Sequence, residues 1–244
     1  MRVGITLPQF RHEVEPVLDT VSRAEAAGID GVFVFDHLWP VGRPDRPALH
    51  GLTLAAGVLA GTERITVGTL VARVGLLPDA VLAHTLDTLH RLAGDRLIAG
   101  LGIGDALSRP ENLAAGAAFP ARARRLEGLT AVCRRLRARG ITTWVGGTSA
   151  AVRAVGRAEA DALNLWGVAP SGLAERAAEG LTGPPGPVTW AGQADVGALG
   201  ADGVAALLGE LARQGAAWAV VAPVGTAWPL AVETIAGAAG SLVD

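Results

Sequence analysis

Gly31-Val32-Phe33-Val34-Phe35-Asp36-His37-Leu38-Trp39 changes character halfway along. Val32–Phe35 is an unbroken apolar run, which is how a strand covered on both faces reads. A carboxylate, a titratable ring and a large aromatic follow at once in Asp36, His37 and Trp39. Strands of that kind belong to parallel α/β sheets, and ligand-binding and catalytic groups collect at their C-terminal ends. The fold therefore turns on whether the flanking chain alternates strand with helix.

It does so in both directions. Upstream, Val3–Pro8 reads as a first strand. A helix follows from about His12, with Val14, Val17, Leu18 and Val21 at helical spacing and Gly28 as its stop. Downstream come a helix over Ala48–Ala60 and a strand over Ile65–Val71. Pro78 then opens a helix, where a missing N–H costs nothing, with Val81, Leu82, Leu86 and Leu89 on one face and Gly94 at its end. Arg96–Ile103 is the fourth strand. A longer connection, Gly104–Ala121, leads to a helix with Leu126, Leu129, Cys133 and Leu136 on one side. Thr142–Val145, Ala162–Trp166, Val188–Ala191 and Ala217–Ala222 complete the strands. Helices follow them after Ser149, over Pro170–Glu179, over Asp202–Gln214 and from about Pro229, and Thr182–Pro187 reads as a Pro/Gly loop.

Eight strands, each followed by a helix, in 244 residues with no shift in composition, predict a single (β/α)8 barrel domain spanning residues 1–244. Such barrels typically run to ~250 residues. The structural rival, an open doubly wound sheet, wants a glycine-rich turn after its first strand, and Pro8-Gln9-Phe10 is not one. The connections Gly75–Pro78 and Gly192–Ala201 are short.

Composition excludes several chemistries. The net charge of −2 and a pI near 6.2 give no case for nucleic acid or an anionic membrane. Lysine and tyrosine are absent, so neither a Schiff base nor a phenol acid is available. The single Cys133 rules out an intramolecular disulfide and fits a reducing, cytoplasmic setting. No apolar run reaches the ~18 residues of a membrane span, and the N-terminus reads as a strand from the outset rather than as a leader. The bias to Arg, Ala and Gly suggests a GC-rich bacterial genome.

In a barrel of this kind the site is built from the strand exits. These are Gln9 and Phe10; Asp36, His37 and Trp39; Thr69–Arg73; Gly102, Gly104 and Asp105; Gly146–Ser149; Asn164 and Trp166; Trp190 and Gln193; Pro223 and Val224. Of five histidines only His37 lies at an exit, so the convergent ligands of a metal hydrolase are missing and no metal is expected. Cys133 sits on the inward face of a helix and is no nucleophile. A glycine- and aromatic-lined mouth with one histidine suits a bound planar organic cofactor. Gly146-Gly147-Thr148-Ser149 is an anion turn, plausibly for a phosphate, because its glycines expose backbone N–H groups at a helix start.

Each of these residues also has a plainer reading. His37 could be a loop histidine bonded to Asp36, and Asp36 a cap. Trp39 and Trp166 could be rim packing and Thr69 a β-branched strand residue. Asp105 fits a turn after Gly104. Ser108-Arg109-Pro110-Glu111-Asn112 reads as a capped helix start with Glu111 completing the capping box. Asn164 is either a core hydrogen bond or a cofactor contact. Arg122, Arg124 and Arg125 form a solvated helix face from which one could reach a phosphate.

Five motifs in register carry a family resemblance. Phe35-Asp36-His37-Leu38-Trp39, Val67-Gly68-Thr69-Leu70-Val71, Leu101-Gly102-Ile103-Gly104-Asp105, Arg124-Arg125-Leu126-Glu127 and Trp144-Val145-Gly146-Gly147 resemble the luciferase-like flavin- and deazaflavin-dependent oxidoreductases over roughly residues 1–167. The resemblance implies a (β/α)8 barrel that binds coenzyme F420, or alternatively FMN, at its mouth. The ring would lie against Thr69, Leu70 and Val71, where relatives often carry a non-prolyl cis peptide, with Gly102 beside it. The phosphate would sit on Gly146, Gly147, Thr148 and Ser149. His37 would face the ring as the acid/base partner, with Asp36, Trp39, Asn164 and Trp166 shaping the pocket. Asp105 falls where some deazaflavin-dependent relatives carry a glutamate acid, although its side chain is shorter. Barrels of this family often form homodimers, and the substrate would be a small molecule. The expected activity is F420-dependent hydride transfer. The rivals are an FMN-dependent monooxygenase using oxygen and a catalytically silent cofactor-binding barrel.

Overall fold

The computed structural model describes residues 1–180 and 186–242, so most of the expected Thr182–Pro187 loop lies outside the described residues. The strands are β1 (Arg2–Thr6), β2 (Gly31–Val34), β3 (Thr66–Thr69), β4 (Ala72–Arg73), β5 (Leu97–Gly102), β6 (Thr143–Gly146), β7 (Ala162–Trp166), β8 (Val188–Asp195) and β9 (Ala216–Val224). The larger helices between them are α1 (Glu15–Ala26), α2 (Gly51–Ala60), α3 (Asp79–Ala93), α5 (Arg122–Arg137), α6 (Ala150–Glu159), α8 (Val196–Arg213) and α9 (Trp228–Gly240). Two short ones are α4 (Arg109–Ala114) and α7 (Leu173–Ala178). Neighbouring strands all pair in parallel, in the order β3-β2-β1-β9-β8-β7-β6-β5-β4, and β3 also pairs with β5. The sheet thus closes on itself. With β3 and β4 as two halves of one interrupted stave, it is the expected eight-stranded (β/α)8 barrel.

The interruption is the main departure from the expected strand Ile65–Val71. The chain leaves the ladder at Leu70 and Val71, whose peptide bond is cis, and rejoins it at Ala72. The second departure is at β8, which runs four residues past Ala191. Gly192–Asp195 pairs with Val221–Val224 of β9, and α8 starts directly at Val196, with non-helical backbone at Gly200. What looked like a brief loop over Gly192–Ala201 is therefore strand and helix, because β9 offers it a free ladder edge. Helix α1 starts later than expected and buries Val17, Thr20, Val21 and Ala24, leaving Val14 and Leu18 exposed.

Two apolar layers hold the barrel. The larger lies between staves and helices, with Val21, Leu82, Leu86, Leu129, Leu208 and Ile235 among its members. The smaller fills the lower interior around Phe33, Trp144 and Trp218. Phe33 stacks on Trp144 at 5.3 Å between ring centroids and meets Trp218 edge-on at 5.7 Å. Glycines make room for these rings. A Cβ at Gly68 would lie 2.3 Å from the Phe33 ring, one at Gly4 2.7 Å, and one at Gly31 2.9 Å from Trp218. With the lower interior filled, the open space inside the barrel lies at its C-terminal mouth.

Candidate active site at the barrel mouth

The mouth holds a cavity of about 1170 Å³ lined by residues from the strand exits. His37 stands on its wall, three residues beyond the end of β2. Its Nδ1 lies 2.9 Å from Oε2 of Glu111 in α4. Glu111 is 2% exposed, yet every direction around its carboxylate is filled. Oε1 accepts from the N–H groups of Leu38 (2.6 Å) and Trp39 (3.3 Å). Oε2 also takes Arg73 Nη1 at 2.6 Å. Burial pushes this carboxyl up, but the His37 hydrogen bond and the charges of His37 and Arg73 outweigh it and hold Glu111 below the ordinary carboxylate range. An ionised carboxylate only accepts, so His37 Nδ1 carries the hydrogen and Nε2 is the ring nitrogen left to act.

Arg73, 3% exposed at the end of β4, ties this pair to the strand exit. Its backbone N–H and Nε both donate to Asp36 Oδ2, at 2.6 and 3.2 Å. Burial raises the Asp36 carboxyl above its ordinary value, against the pull of Arg73. Asp36 therefore works as a brace for Arg73 and is not bonded to His37 as its plainer reading supposed. The interruption between β3 and β4 is what brings the Arg73 N–H to that carboxylate.

The anion turn is also on the wall. Arg153, buried in α6, donates to the Thr148 carbonyl, and the Gly147 N–H donates to the Asn164 carbonyl at 3.1 Å. Ser149 stands at the N-cap of α6 without capping it. Its Oγ instead accepts from Arg122 Nη2 at 2.6 Å. A guanidinium thus sits on a hydroxyl at the positive end of a ten-residue helix, a donor set suited to a phosphate. Arg124 stays on the exposed face, paired with Glu127. Gly102 and Gly146 border the cavity, but Val71 accounts for both: their Cβ atoms would lie 2.5 and 2.6 Å from its two methyl groups.

The remaining expected residues divide. Leu70, Val71, Asn164 and Trp166 line the cavity. Asn164 also donates to Thr189 Oγ1 at 2.9 Å, so the core hydrogen bond exists. Thr69 turns away, 1% exposed, with its hydroxyl on the Gly100 carbonyl at 2.7 Å. Trp39 is half-buried off the cavity wall, and its contribution is its backbone N–H to Glu111. Asp105 lines the cavity, but its Oδ1 caps the short 3-10 turn Ala106–Ser108, accepting from Leu107 N, Ser108 N and Ser108 Oγ. The capping box of this region is thus Asp105 with Ser108, which frees Glu111 from the capping role its spacing suggested. Glu111 and Arg73 are the residues sequence reasoning passed over. The usable signal was a carboxylate inside the longest strand-to-helix connection, on the face where sites form.

Aromatics span the mouth. Phe10 stacks on Phe35 at 5.8 Å, and Phe35 meets Trp166 edge-on at 5.7 Å. The β2 and β7 staves that carry Phe35 and Trp166 lie four apart in the ring of eight, directly opposite. Among the described residues no three His, Cys, Asp or Glu gather as metal ligands, and no helix is long and apolar enough to cross a membrane. Cys133 is buried, and burial pushes its thiol up to about 12.

Three comparisons relate the chain to known proteins. The sequence profile of the luciferase-like monooxygenases matches residues 1–161. An F420-dependent glucose-6-phosphate dehydrogenase of Intrasporangium calvum is 34% identical over 121 residues, 49% of this chain and 36% of that protein. The match thus spans about a third of the curated relative's length. Among solved structures, an F420-dependent secondary alcohol dehydrogenase in complex with an F420-acetone adduct superimposes with a TM-score of 0.84 at 14% identity, covering 100% of this chain and 99% of that one. EDTA monooxygenase (EmoA) from Chelativorans sp. BNC1 gives 0.77 at 11% identity, covering 99% and 94%. At such identities the structures speak for the fold alone. With the profile covering two thirds of its length, this chain belongs to the luciferase-like monooxygenase family.

Proposed function

We propose that residues 1–244 act as one barrel domain, an F420-dependent oxidoreductase that moves a hydride between the deazaflavin and a small organic substrate. The observation that carries this reading is the His37–Glu111 pair. It presents one imidazole nitrogen to a cavity whose far wall has an anion turn reinforced by Arg122. The residues present fit the cofactor. Leu70 and Val71 offer a flat apolar floor, and Ser149 with Arg122 suits a phosphate. The F420-dependent relatives, identical at a third of the matched positions, favour F420 over FMN.

When bound, F420 supplies a central ring carbon that takes or gives a hydride. The chain's own groups do the rest. Nε2 of His37 holds or receives the proton of a substrate hydroxyl. Glu111 fixes the ring's tautomer and orientation through Nδ1. Arg73 keeps the Glu111 proton off and ties the pair to the β4 exit. Phe35 and Trp166 exclude water across the mouth. Asp105 holds the 3-10 turn at the rim.

The family's description as monooxygenases supports the second reading, an FMN-dependent oxygenase. Titrating the purified protein with F420 and with FMN, followed by fluorescence, separates the two. Micromolar or tighter F420 binding is expected, and tight FMN binding without F420 binding overturns the proposal.

A further inference from the structure

Four arginines line the mouth cavity: Arg11, Arg73, Arg122 and Arg125. Three are committed. Arg73 serves Asp36 and Glu111, and Arg122 serves Ser149. Arg125 donates to the carbonyls of Ile103, Gly104 and Pro120 and lies over the Phe119 ring at 4.0 Å. Arg73 Nη2 and Arg11 Nε are both buried without a partner, but Arg73 is already neutralised by two carboxylates, whereas Arg11 is paired with none among the described residues. A buried guanidinium N–H left unpaired is costly, so a position that keeps one is suited to a ligand that supplies the acceptor.

The surroundings of Arg11 define that ligand. It follows the β1 exit next to Phe10, the first ring of the Phe10–Phe35–Trp166 series. The β1 and β6 staves lie four apart in the ring of eight, so Arg11 stands across the barrel from the Gly146–Ser149 turn. The cavity therefore has an anion-binding end at each side, with His37 on the wall between. At about 1170 Å³ it exceeds the roughly 300–1,000 Å³ of a typical single-ligand pocket, leaving room for two molecules. We propose that Arg11 anchors an anionic group, a carboxylate, of a substrate whose flat apolar body lies on Phe10 and Phe35. This deepens the reading of the site as an oxidoreductase by naming its substrate class, an aromatic or otherwise apolar carboxylate.

The test needs no cofactor. Phenylacetate and its neutral isostere phenylacetamide are titrated into the cofactor-free protein, and the backbone amide shifts of Phe10 and Phe35 are followed by NMR. The wild type is expected to prefer phenylacetate by about tenfold, as a charge-assisted hydrogen bond supplies. In Arg11→Met and Arg11→Gln the preference falls to within twofold while phenylacetamide binding is retained. Equal affinities in the wild type, no binding of phenylacetate, or an undiminished preference in both variants overturns the proposal. A parallel F420 titration identifies the anion's source. Arg11→Met is expected to leave F420 affinity within twofold, and a tenfold loss there assigns the guanidinium to the cofactor and overturns the substrate role. If the wild type binds no F420 at all, the cofactor reading fails while the carboxylate result stands.

Discussion

Phe33 and Phe35 are two residues apart on one stave and face the same way, into the barrel, yet they do opposite jobs. Phe33 is fully buried, with Gly4 and Gly68 leaving space for its ring and Trp144 and Trp218 packed around it. Phe35 is half-buried one layer higher, beside His37 and touching Trp166 across open space. The lower layer is closed because glycines on the flanking staves bring backbone up to the rings. The upper layer is open because there the staves give way to loops and to the broken stave at Leu70–Val71. Depth along one strand, not residue type, separates scaffold from site.

Two substitutions test this separation. His37→Ala acts in the upper layer, and loss of a positioned acid/base group lowers turnover by about 10²- to 10⁴-fold. The thermal midpoint falls only modestly, because Leu38 N–H, Trp39 N–H and Arg73 still hold the Glu111 carboxylate once the ring is gone. Turnover reduced less than threefold favours a catalytically silent barrel. Phe33→Ala acts in the lower layer. Deleting a fully buried aromatic costs about 3–5 kcal/mol of stability, read by urea unfolding. The rate of the remaining folded protein at saturating cofactor stays within a few-fold of wild type. A rate loss as large as that of His37→Ala would show that the plug and the site are one unit.

How much of this was legible beforehand follows the same division. The eight staves could be read because strands buried on both faces leave continuous apolar runs, and Val32–Phe35 is one. The break in the third stave could not be read from Thr66–Arg73, whose residues are all compatible with a plain strand. Only the family resemblance pointed to it. That His37 lines the mouth could be read because strand exits can be counted along the chain. Glu111 was missed because its partner lies 74 residues away. Local spacing from Ser108 offered a cheaper explanation for a glutamate at that position. Asp105 keeps both of its readings in view: it lines the cavity, as its exit position suggested, and its carboxylate caps the turn through Leu107 and Ser108, as its plainer reading had it.

Glu111→Gln is the finest probe of the upper layer. The amide keeps the shape and can still accept from Leu38 N–H, but it leaves Arg73 facing a neutral group and weakens the acceptor on His37 Nδ1. Stability falls by about 1–3 kcal/mol, the penalty for weakening a buried charged hydrogen bond. The pH dependence gives the sharper readout. Glu111 is held below its unfolded value in the folded chain. Its stabilising contribution is therefore complete above the unfolded carboxylate range, near pH 4.3, and is lost as pH falls through the lower folded value. Wild type and variant should then differ most at neutral pH and converge on acidification below about pH 4.3. Asp36, shifted upward by burial, is present in both proteins and cancels from the difference. A variant that loses stability while keeping wild-type turnover would make Glu111 a structural brace for Arg73 and no part of how the His37 ring is held.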